Sequence, residues 1–126
     1  MHAFVVDDSS AIRKILSQYL LALDFECTEA EDGLEALEKL KQRGQTDLLL
    51  VDWEMPRMSG IELVREIRSE KRWQEVPIMM VTSLNELERV IEALEAGANE
   101  YIMKPCTQQA LSEKLALIGF SLEDKQ

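Results

Sequence analysis

The sequence predicts an α/β domain in which five βα units form a doubly wound, parallel, five-stranded sheet. Two observations lead to this fold class. Short apolar runs alternate with segments of helical period along the whole 126-residue chain. Three of the runs are almost continuously apolar, as expected of strands that helices cover on both faces. Strands separated by single helices must be parallel, and right-handed crossovers leave few windings open.

The five strands are predicted from the apolar runs in chain order. The first, third and fourth span residues 3–6, 48–51 and 78–81. The second, at 27–30, is weaker because it contains Thr and Glu, and the fifth spans 101–103. We expect the second strand at the periphery of the sheet.

The five helices are predicted from apolar residues at helical spacing. The first shows the pattern most fully, since its apolar residues follow the i, i+3, i+4, i+7, i+8, i+11 template. The residues that mark the helices follow in chain order. They are Ile12, Ile15, Leu16, Tyr19, Leu20 and Leu23 in the first helix, Leu34, Leu37 and Leu40 in the second, Ile61, Val64 and Ile67 in the third, Leu87, Ile91 and Leu94 in the fourth, and Leu111, Leu115 and Ile118 in the fifth.

Helix ends are predicted from residues with known capping preferences. Asn85 and Thr107 are the predicted N-caps of the fourth and fifth helices, and Ser59 opens the third. Gly44 and Gly97 are placed to end the second and fourth helices.

Composition indicates one globular domain spanning residues 1–126. Hydrophobic residues make up 46% and charged residues 30%, which is typical of a folded domain. Asp and Glu total 24 against 14 Lys and Arg, and the net charge of −10 disfavours direct binding of nucleic acid. There is no signal-peptide pattern and no apolar stretch near the roughly 18 residues of a membrane span. We therefore expect a cytoplasmic protein without membrane insertion.

Four residues receive a plain structural interpretation. His2, near the start of the chain, is expected to be solvated, and Trp73, in a polar connection, to be partly exposed. Cys27 lies in a strand and is expected to be a small buried hydrophobe. Cys27 and Cys106 show no metal-ligand spacing, and both thiols are expected to be reduced.

Polar side chains follow the ends of four predicted strands. Asp7 and Asp8 follow the first strand, Asp52 the third, Thr82 the fourth and Lys104 the fifth. Because ligands bind outside the carboxyl ends of an open parallel sheet, we expect these side chains to converge. Three carboxylates need nearby positive charge, which one lysine and one divalent cation would balance. Oxygen ligands suit Mg²⁺ or Mn²⁺ rather than zinc.

This group of side chains predicts phosphoryl chemistry. A carboxylate can act as a nucleophile toward phosphorus and form an aspartyl phosphate. The transferring group carries its charge on three equatorial oxygens, which a metal, an ammonium and a hydroxyl would neutralise. The interpretation assigns Asp52 as nucleophile, Asp7 and Asp8 to the metal, and Thr82 and Lys104 to the phosphoryl group.

The motifs at these four strand ends resemble those of a response-regulator receiver domain, and most of all the CheY-like single-domain class. They are Asp7-Asp8, the stretch 52–60, the stretch 81–83 and the stretch 101–105. The resemblance extends from Phe4 to Gly119. It implies a flavodoxin-like (βα)₅ fold with strand order 2-1-3-4-5.

The resemblance implies a role for each acid. Asp52 matches the phosphoacceptor, which receives a phosphoryl group from a phosphohistidine on a histidine kinase or a histidine phosphotransfer protein. Asp7 and Asp8 match the acidic pair that binds Mg²⁺ together with Asp52 and the backbone carbonyl of Glu54, and Mn²⁺ can substitute. Such a domain assists its own phosphorylation and dephosphorylation and is not a conventional enzyme.

The resemblance also implies a switch. Thr82 matches the switch hydroxyl, Lys104 the ammonium partner of the phosphate, and Tyr101 the aromatic residue that moves inward when Thr82 turns. The peptide between Lys104 and Pro105 is expected to be cis. Such a switch is read by partner proteins.

Two positions are predicted to tune hydrolysis of the aspartyl phosphate. Glu54 follows Asp52 by two residues and adds a carboxylate beside the site, and the apolar Leu84 follows Thr82 by two residues. Our hypothesis is that both slow the loss of phosphate, the first through charge and the second by shielding it from water.

The fourth helix and fifth strand are predicted to form an output surface with the fifth helix. Residues 86–100 carry five Glu against one Arg. A solvated helix face would explain this charge, but the resemblance makes it a docking surface, and we expect a basic downstream target or kinase element there. The protein is expected to be a monomer or a phosphorylation-dependent dimer.

Other functions remain open at this point. A phosphatase of the haloacid-dehalogenase kind also uses an Asp nucleophile with Mg²⁺, but its two acids lie two residues apart, whereas Asp7 and Asp8 are adjacent. A flavodoxin-like electron carrier needs a phosphate-binding loop after the first strand, where this acidic pair would repel the phosphate. The chain is either a stand-alone regulator, of the chemotaxis or phosphorelay type, or a receiver domain from a longer response regulator.

Overall fold

The five predicted strands and five predicted helices are all present. The computed structural model describes residues 1–83 and 87–120, without the side chain of Leu87, so the predicted N-cap Asn85 and the tuning residue Leu84 lie outside the described residues. The elements are β1 (His2–Val6), α1 (Ser10–Ala22), β2 (Glu26–Ala30), α2 (Gly33–Arg43), β3 (Leu48–Asp52), α3 (Gly60–Ser69), a 3₁₀ turn (Lys71–Trp73), β4 (Ile78–Thr82), α4 (Leu87–Ala96), β5 (Glu100–Met103) and α5 (Gln108–Leu117).

The strands form one parallel sheet in the order β2-β1-β3-β4-β5, as the resemblance implied. Each strand is one residue longer than its apolar run, because the ladder also includes a flanking polar residue or, in β1, His2. Asp52 and Thr82 thereby become the last residues of β3 and β4.

Alternate residues of the central strands enter two separate cores. Phe4 and Val6 of β1 pack on one face with α2, α3 and α4. Ala3 and Val5 pack on the other face with α1 and α5. This two-sided burial is the reason for the continuously apolar runs.

Four of the predicted helix caps are present. The side chains of Ser59 and Thr107 accept hydrogen bonds from backbone N–H groups three residues on, at 3.2 and 3.0 Å. Gly44 and Gly97 end α2 and α4 with φ of 87° and 119°, the left-handed region in which glycine is free of Cβ strain. These residues set where the helices start and stop around the sheet.

Some of the apolar residues that mark the helices lie outside the core. Ile15, Leu34, Ile91 and Leu94 are exposed, by 43%, 42%, 44% and 46%. A helix in an outer layer presents only a narrow arc to the sheet, and residues at the edges of the stripe remain in solvent.

The predictions for His2 and Trp73 were wrong. His2 is 5% exposed, and its Nδ1 and Nε2 atoms lie 2.8 Å from the hydroxyls of Thr46 and Thr28. Trp73 is 2% exposed, and its indole N–H donates to the carbonyl of Gly44 at 3.0 Å. Each ring is buried because partners distant in sequence satisfy its polar atoms.

Candidate functional site

Three carboxylates meet at the carboxyl end of the sheet. Asp7, Asp8 and Asp52 each offer an oxygen, and these three atoms lie within 4.8 Å of one another. The register explains the meeting, since Val6 pairs with Val51 and the residues that follow are Asp7 and Asp52. Asp7 and Asp52 are buried, at 1% and 7% exposure, whereas Asp8 is exposed. The site therefore has a buried floor and one side open to solvent.

Lys104 brings positive charge to this floor from the end of β5. Its Nζ atom lies 2.7 Å from Oδ2 of Asp7 and 3.2 Å from Oδ1 of Asp52. Its backbone N–H donates to the carbonyl of Thr82 at 2.8 Å, and the peptide to Pro105 is cis. One ammonium group thus bridges two buried carboxylates.

Burial and the neighbouring charges shift the pKa values of Asp52 and Lys104. Burial and the neighbouring Asp7 raise the pKa of Asp52 to about 6, although Lys104 opposes the shift. Burial would lower the pKa of Lys104, but the two carboxylates raise it above its usual value. With all four groups ionised, the cluster carries three negative charges and one positive charge, and the net charge of −2 favours a divalent cation.

The backbone around Asp7 is fixed by groups that sequence reasoning missed. Oδ1 of Asp7 accepts a hydrogen bond from the Ser9 N–H at 2.9 Å, and Nη1 of Arg13 donates to the Asp7 carbonyl at 2.7 Å. Nε of Arg13 pairs with Glu29 of β2 at 3.0 Å. No local pattern identified Arg13, because one partner follows β1 and the other lies in β2.

The predicted switch residues Thr82 and Tyr101 lie close to Trp53, the neighbour of Asp52. Thr82 is buried at 5% exposure, and Tyr101 is half-buried with Nζ of Lys114 5.2 Å from its ring centroid. A small cavity beneath α4 has both residues in its wall, together with Trp53. The guanidinium of Arg89 lies 5.4 Å from the Trp53 ring centroid. The neighbour of Asp52 is thereby in contact with α4.

Glu54 lies in the loop after β3, and the described glutamates of the predicted output surface lie in α4 and β5. The Glu54 side chain is exposed in the loop after Asp52. Glu88 and Glu95 of α4 are exposed, whereas Glu92 lies 3.7 Å from Arg65, and Glu100 lies 3.4 Å from Lys114. Part of the predicted acidic face is therefore neutralised within the chain.

Known proteins match this chain in sequence and in fold. The family model of the response regulator receiver domain matches residues 3–116. The chain belongs to the response regulator receiver domain family. It is 47% identical to the chemotaxis protein CheY1 of Helicobacter pylori over 119 residues, which are 94% of this chain and 96% of the relative.

Solved structures of receiver domains have the same fold. CheY4 of Vibrio cholerae superposes with a TM-score of 0.87 at 32% identity, over 93% of this chain and 97% of the other. CheY in the CheX–CheY–BeF₃–Mg²⁺ complex of Borrelia burgdorferi superposes with a TM-score of 0.88 at 26% identity, over 96% of this chain and 90% of the other. These matches favour the receiver domain over the phosphatase and the electron carrier.

Two features of this receiver domain follow from the comparisons and the fold. It is a signalling regulator of the CheY type rather than a metabolic enzyme. Among residues 1–83 and 87–120, no helix has the length and apolar character needed to cross a membrane.

Proposed function

We propose that this receiver domain accepts a phosphoryl group on Asp52 with the help of Mg²⁺ bound beside Asp7 and Asp8. The observation that carries the proposal is the bridge of Lys104 between the buried carboxylates of Asp7 and Asp52, at 2.7 and 3.2 Å. An ammonium in this position stabilises the ionised carboxylate of Asp52. It would also lie next to a phosphoryl group formed on that carboxylate.

The donor set suits Mg²⁺. All three side chains of the cluster offer carboxylate oxygens, which are hard ligands. Among the residues that the structure describes, no His or Cys belongs to the cluster. The backbone carbonyl of Glu54 would complete the protein ligands beside Asp7, Asp8 and Asp52, and water would fill the remaining positions. When bound, the ion supplies positive charge for the phosphoryl oxygens.

The chain's own residues perform the transfer. A carboxylate oxygen of Asp52 attacks phosphorus, the P–O bond forms, and the P–N bond of the donor phosphohistidine breaks. Asp52 must be ionised, and with a pKa of about 6 it is mostly so at neutral pH. Lys104 and the Thr82 hydroxyl then hold the phosphoryl oxygens. Hydrolysis by water restores the free carboxylate.

The phosphorylated state would change the surface near α4. Thr82 turning toward the phosphoryl group leaves space in the cavity that it shares with Tyr101 and Trp53. Tyr101 would move inward and alter the face made by α4, β5 and α5. Glu54 and Leu84 would slow hydrolysis of the aspartyl phosphate and so prolong the phosphorylated state.

The proposed partners follow from the chemistry of the carboxylate site and of the exposed surface of α4. The phosphodonor is a phosphohistidine on a histidine kinase or phosphotransfer protein. The reader of the switched state is a protein with basic side chains, since Glu88 and Glu95 of α4 remain exposed. The CheY relatives support a chemotaxis-type regulator.

The experiment uses Trp53 as a built-in reporter. Mg²⁺ followed by acetyl phosphate or beryllofluoride should change its fluorescence, and acetyl phosphate should add the mass of one phosphoryl group. Asp52→Asn should abolish both responses to acetyl phosphate, whereas Asp47→Asn, at the opposite end of β3, should keep them. Trp53→Phe should remove the fluorescence signal and leave the mass change. A mass change that survives Asp52→Asn would refute the assignment.

A further inference from the structure

The loop after β3 is fastened to the start of α2 by an ion pair. Asp32 is the N-cap of α2, and its Oδ1 accepts the Glu35 N–H at 2.9 Å. Its Oδ2 accepts from Nε of Arg57 at 2.8 Å and also contacts Nη2 of the same guanidinium. Asp32 is only 2% exposed, so this carboxylate has exchanged solvent for these three donors.

The charge of Asp32 is maintained in this setting. Burial raises its pKa, but the hydrogen bonds from Glu35 and Arg57 outweigh burial and bring the pKa below the usual value. An ionised carboxylate with this exposure needs its cation. The contact with Arg57 is therefore a fixed part of the fold.

Arg57 itself shapes the loop. Its φ of 67° lies in the left-handed region, which is unfavourable for a residue with a Cβ atom. The flanking Met58 N–H donates to the Pro56 carbonyl at 2.7 Å, and the Gly60 N–H donates to the Trp53 carbonyl at 2.9 Å. The loop that carries Glu54 thus contains a compact turn at Arg57, whose side chain is bound by Asp32.

A second contact closes the gap between the same two segments. A Cβ atom added at Gly33 would lie 2.8 Å from Cγ of Met58 and 3.0 Å from its carbonyl oxygen. The loop therefore packs directly on the first turn of α2 without room for a side chain at Gly33.

The Asp32–Arg57 pair connects the segment beside Asp7 to the loop that follows Asp52. Asp32 comes two residues after β2, whose Ala30 carbonyl accepts the N–H of Asp7 at 3.1 Å. Arg57 comes five residues after Asp52. We infer that the Asp32–Arg57 pair is a positioning element for the Mg²⁺ site, holding the loop that carries Glu54 at a fixed separation from Asp7. The inference depends on the proposed function for the presence of Mg²⁺.

Two single variants separate positioning from simple charge effects. Arg57→Asn removes the guanidinium and suits the left-handed conformation. Asp32→Asn removes the negative charge and keeps an oxygen for the Glu35 N–H. A purely Coulombic effect would tighten Mg²⁺ binding in the first variant and weaken it in the second. Positioning predicts that both variants weaken it by about tenfold.

The double variant and a matched control complete the design. Mg²⁺ alone is titrated and Trp53 fluorescence is followed. The Asp32→Asn/Arg57→Asn double variant, with the net charge of the wild type, should bind as weakly as either single variant. Arg65→Gln is the control. The side chain of Arg65 is 58% exposed, against 56% for that of Arg57, and it pairs with Glu92 of α4. Its removal should leave the affinity for Mg²⁺ unchanged. Wild-type affinity in the double variant would overturn the inference.

A metal-free readout distinguishes the two proposals. Hydrogen exchange at the Met58 and Gly60 amides, measured with EDTA, should be faster in both single variants than in the wild type. Wild-type protein that binds no Mg²⁺ would overturn the proposed function and the metal part of the inference together. If the wild type binds Mg²⁺ and both single variants bind it with the same affinity, the inference alone would be overturned. Hydrogen exchange at the two amides that is no faster in the variants than in the wild type would also overturn only the inference.

Discussion

Nζ of Lys104 lies closer to Oδ2 of Asp7, at 2.7 Å, than to Oδ1 of Asp52, at 3.2 Å. Without a metal ion, the ammonium is therefore the main counter-charge of the most buried acid in the site. Two carboxylates can occupy this floor only because the cation between them offsets their repulsion. A divalent cation would share that task and let Lys104 turn toward a phosphoryl oxygen.

Lys104→Met should destabilise the metal-free protein and make its stability depend more strongly on Mg²⁺. The substitution keeps the apolar stem but leaves Asp7 and Asp52 without their cation, so we expect the free energy of unfolding in EDTA to fall by about 2–4 kcal/mol. Saturating Mg²⁺ should restore part of this loss, because it supplies the missing charge. Urea unfolding with EDTA and with Mg²⁺ measures both effects.

Lys114→Met is the matched control for this prediction. Lys114 pairs with Glu100 at 3.4 Å on the surface, and its loss should cost under about 1 kcal/mol with no added dependence on Mg²⁺. Equal losses of unfolding free energy in the two variants would show that the Lys104 bridge stabilises the protein no more than the pair of Lys114 and Glu100 does.

Gly60→Ala should disturb the carboxylate site through the backbone. An added Cβ would lie 2.1 Å from the carbonyl oxygen of Asp52, so either α3 or the end of β3 must shift. We expect a loss of about 3 kcal/mol in the free energy of unfolding, and weaker Mg²⁺ binding. At Gly44 an added Cβ meets nothing within 4 Å, and Gly44→Ala should cost only about 1 kcal/mol, from its φ of 87°. Equal losses at the two positions would contradict the close-approach argument.

Arg68→Met should loosen the junction of α3, α4 and β5. The half-buried guanidinium donates to the carbonyls of Gly97 and Trp73 and to the side chain of Asn99, at 2.9, 2.8 and 3.0 Å. Removing it takes one donor from each of these acceptors, and we expect a loss of about 2 kcal/mol in urea unfolding. Arg65→Met, on the exposed side of α3, should change the free energy of unfolding by less than about 0.5 kcal/mol. A loss at Arg68 as small as that at Arg65 would refute this account.

The central strands and the site could be predicted because both depend on local sequence. A continuously apolar run shows that a strand is covered on both faces, and the residue after it must then lie at the carboxyl edge. This reasoning brought Asp7, Asp52, Thr82 and Lys104 to one edge without knowledge of any contact. The strand ends also fix the register, so the convergence of the acids required no further information.

Features that depend on contacts between distant segments could not be predicted. Asp32 was visible only as an acid before a glycine, and its pairing with Arg57, 25 residues away, has no local signature. Trp73 was judged by its polar neighbours, whereas its burial depends on the Gly44 carbonyl 29 residues away. Helical spacing placed Ile15 in an apolar stripe, but spacing gives the direction of a helix face and not how much of that face is buried.

The burial of His2 should make stability depend on pH. Burial and the nearby Arg43 lower the pKa of His2 below 6.5, although the carboxylates of Asp47 and Glu26 oppose the shift. The unfolded chain therefore binds the proton more readily than the folded protein does. The contribution of His2 to the free energy of unfolding is therefore greatest above the unfolded pKa of about 6.5, and it falls as the pH drops through that value toward the lower folded pKa.

His2→Gln should remove this dependence, because Gln can bond to the hydroxyl of Thr28 or Thr46 but does not titrate. Urea unfolding between about pH 7.5 and 5.5 should show the wild type losing its advantage over the variant, by less than about 1.4 kcal/mol per pH unit. Asp52 titrates in the same range in both proteins, so its effect cancels in the difference. Parallel stability curves for the two proteins would mean that His2 keeps the same affinity for the proton in the folded and unfolded chains, and would contradict a role for its burial.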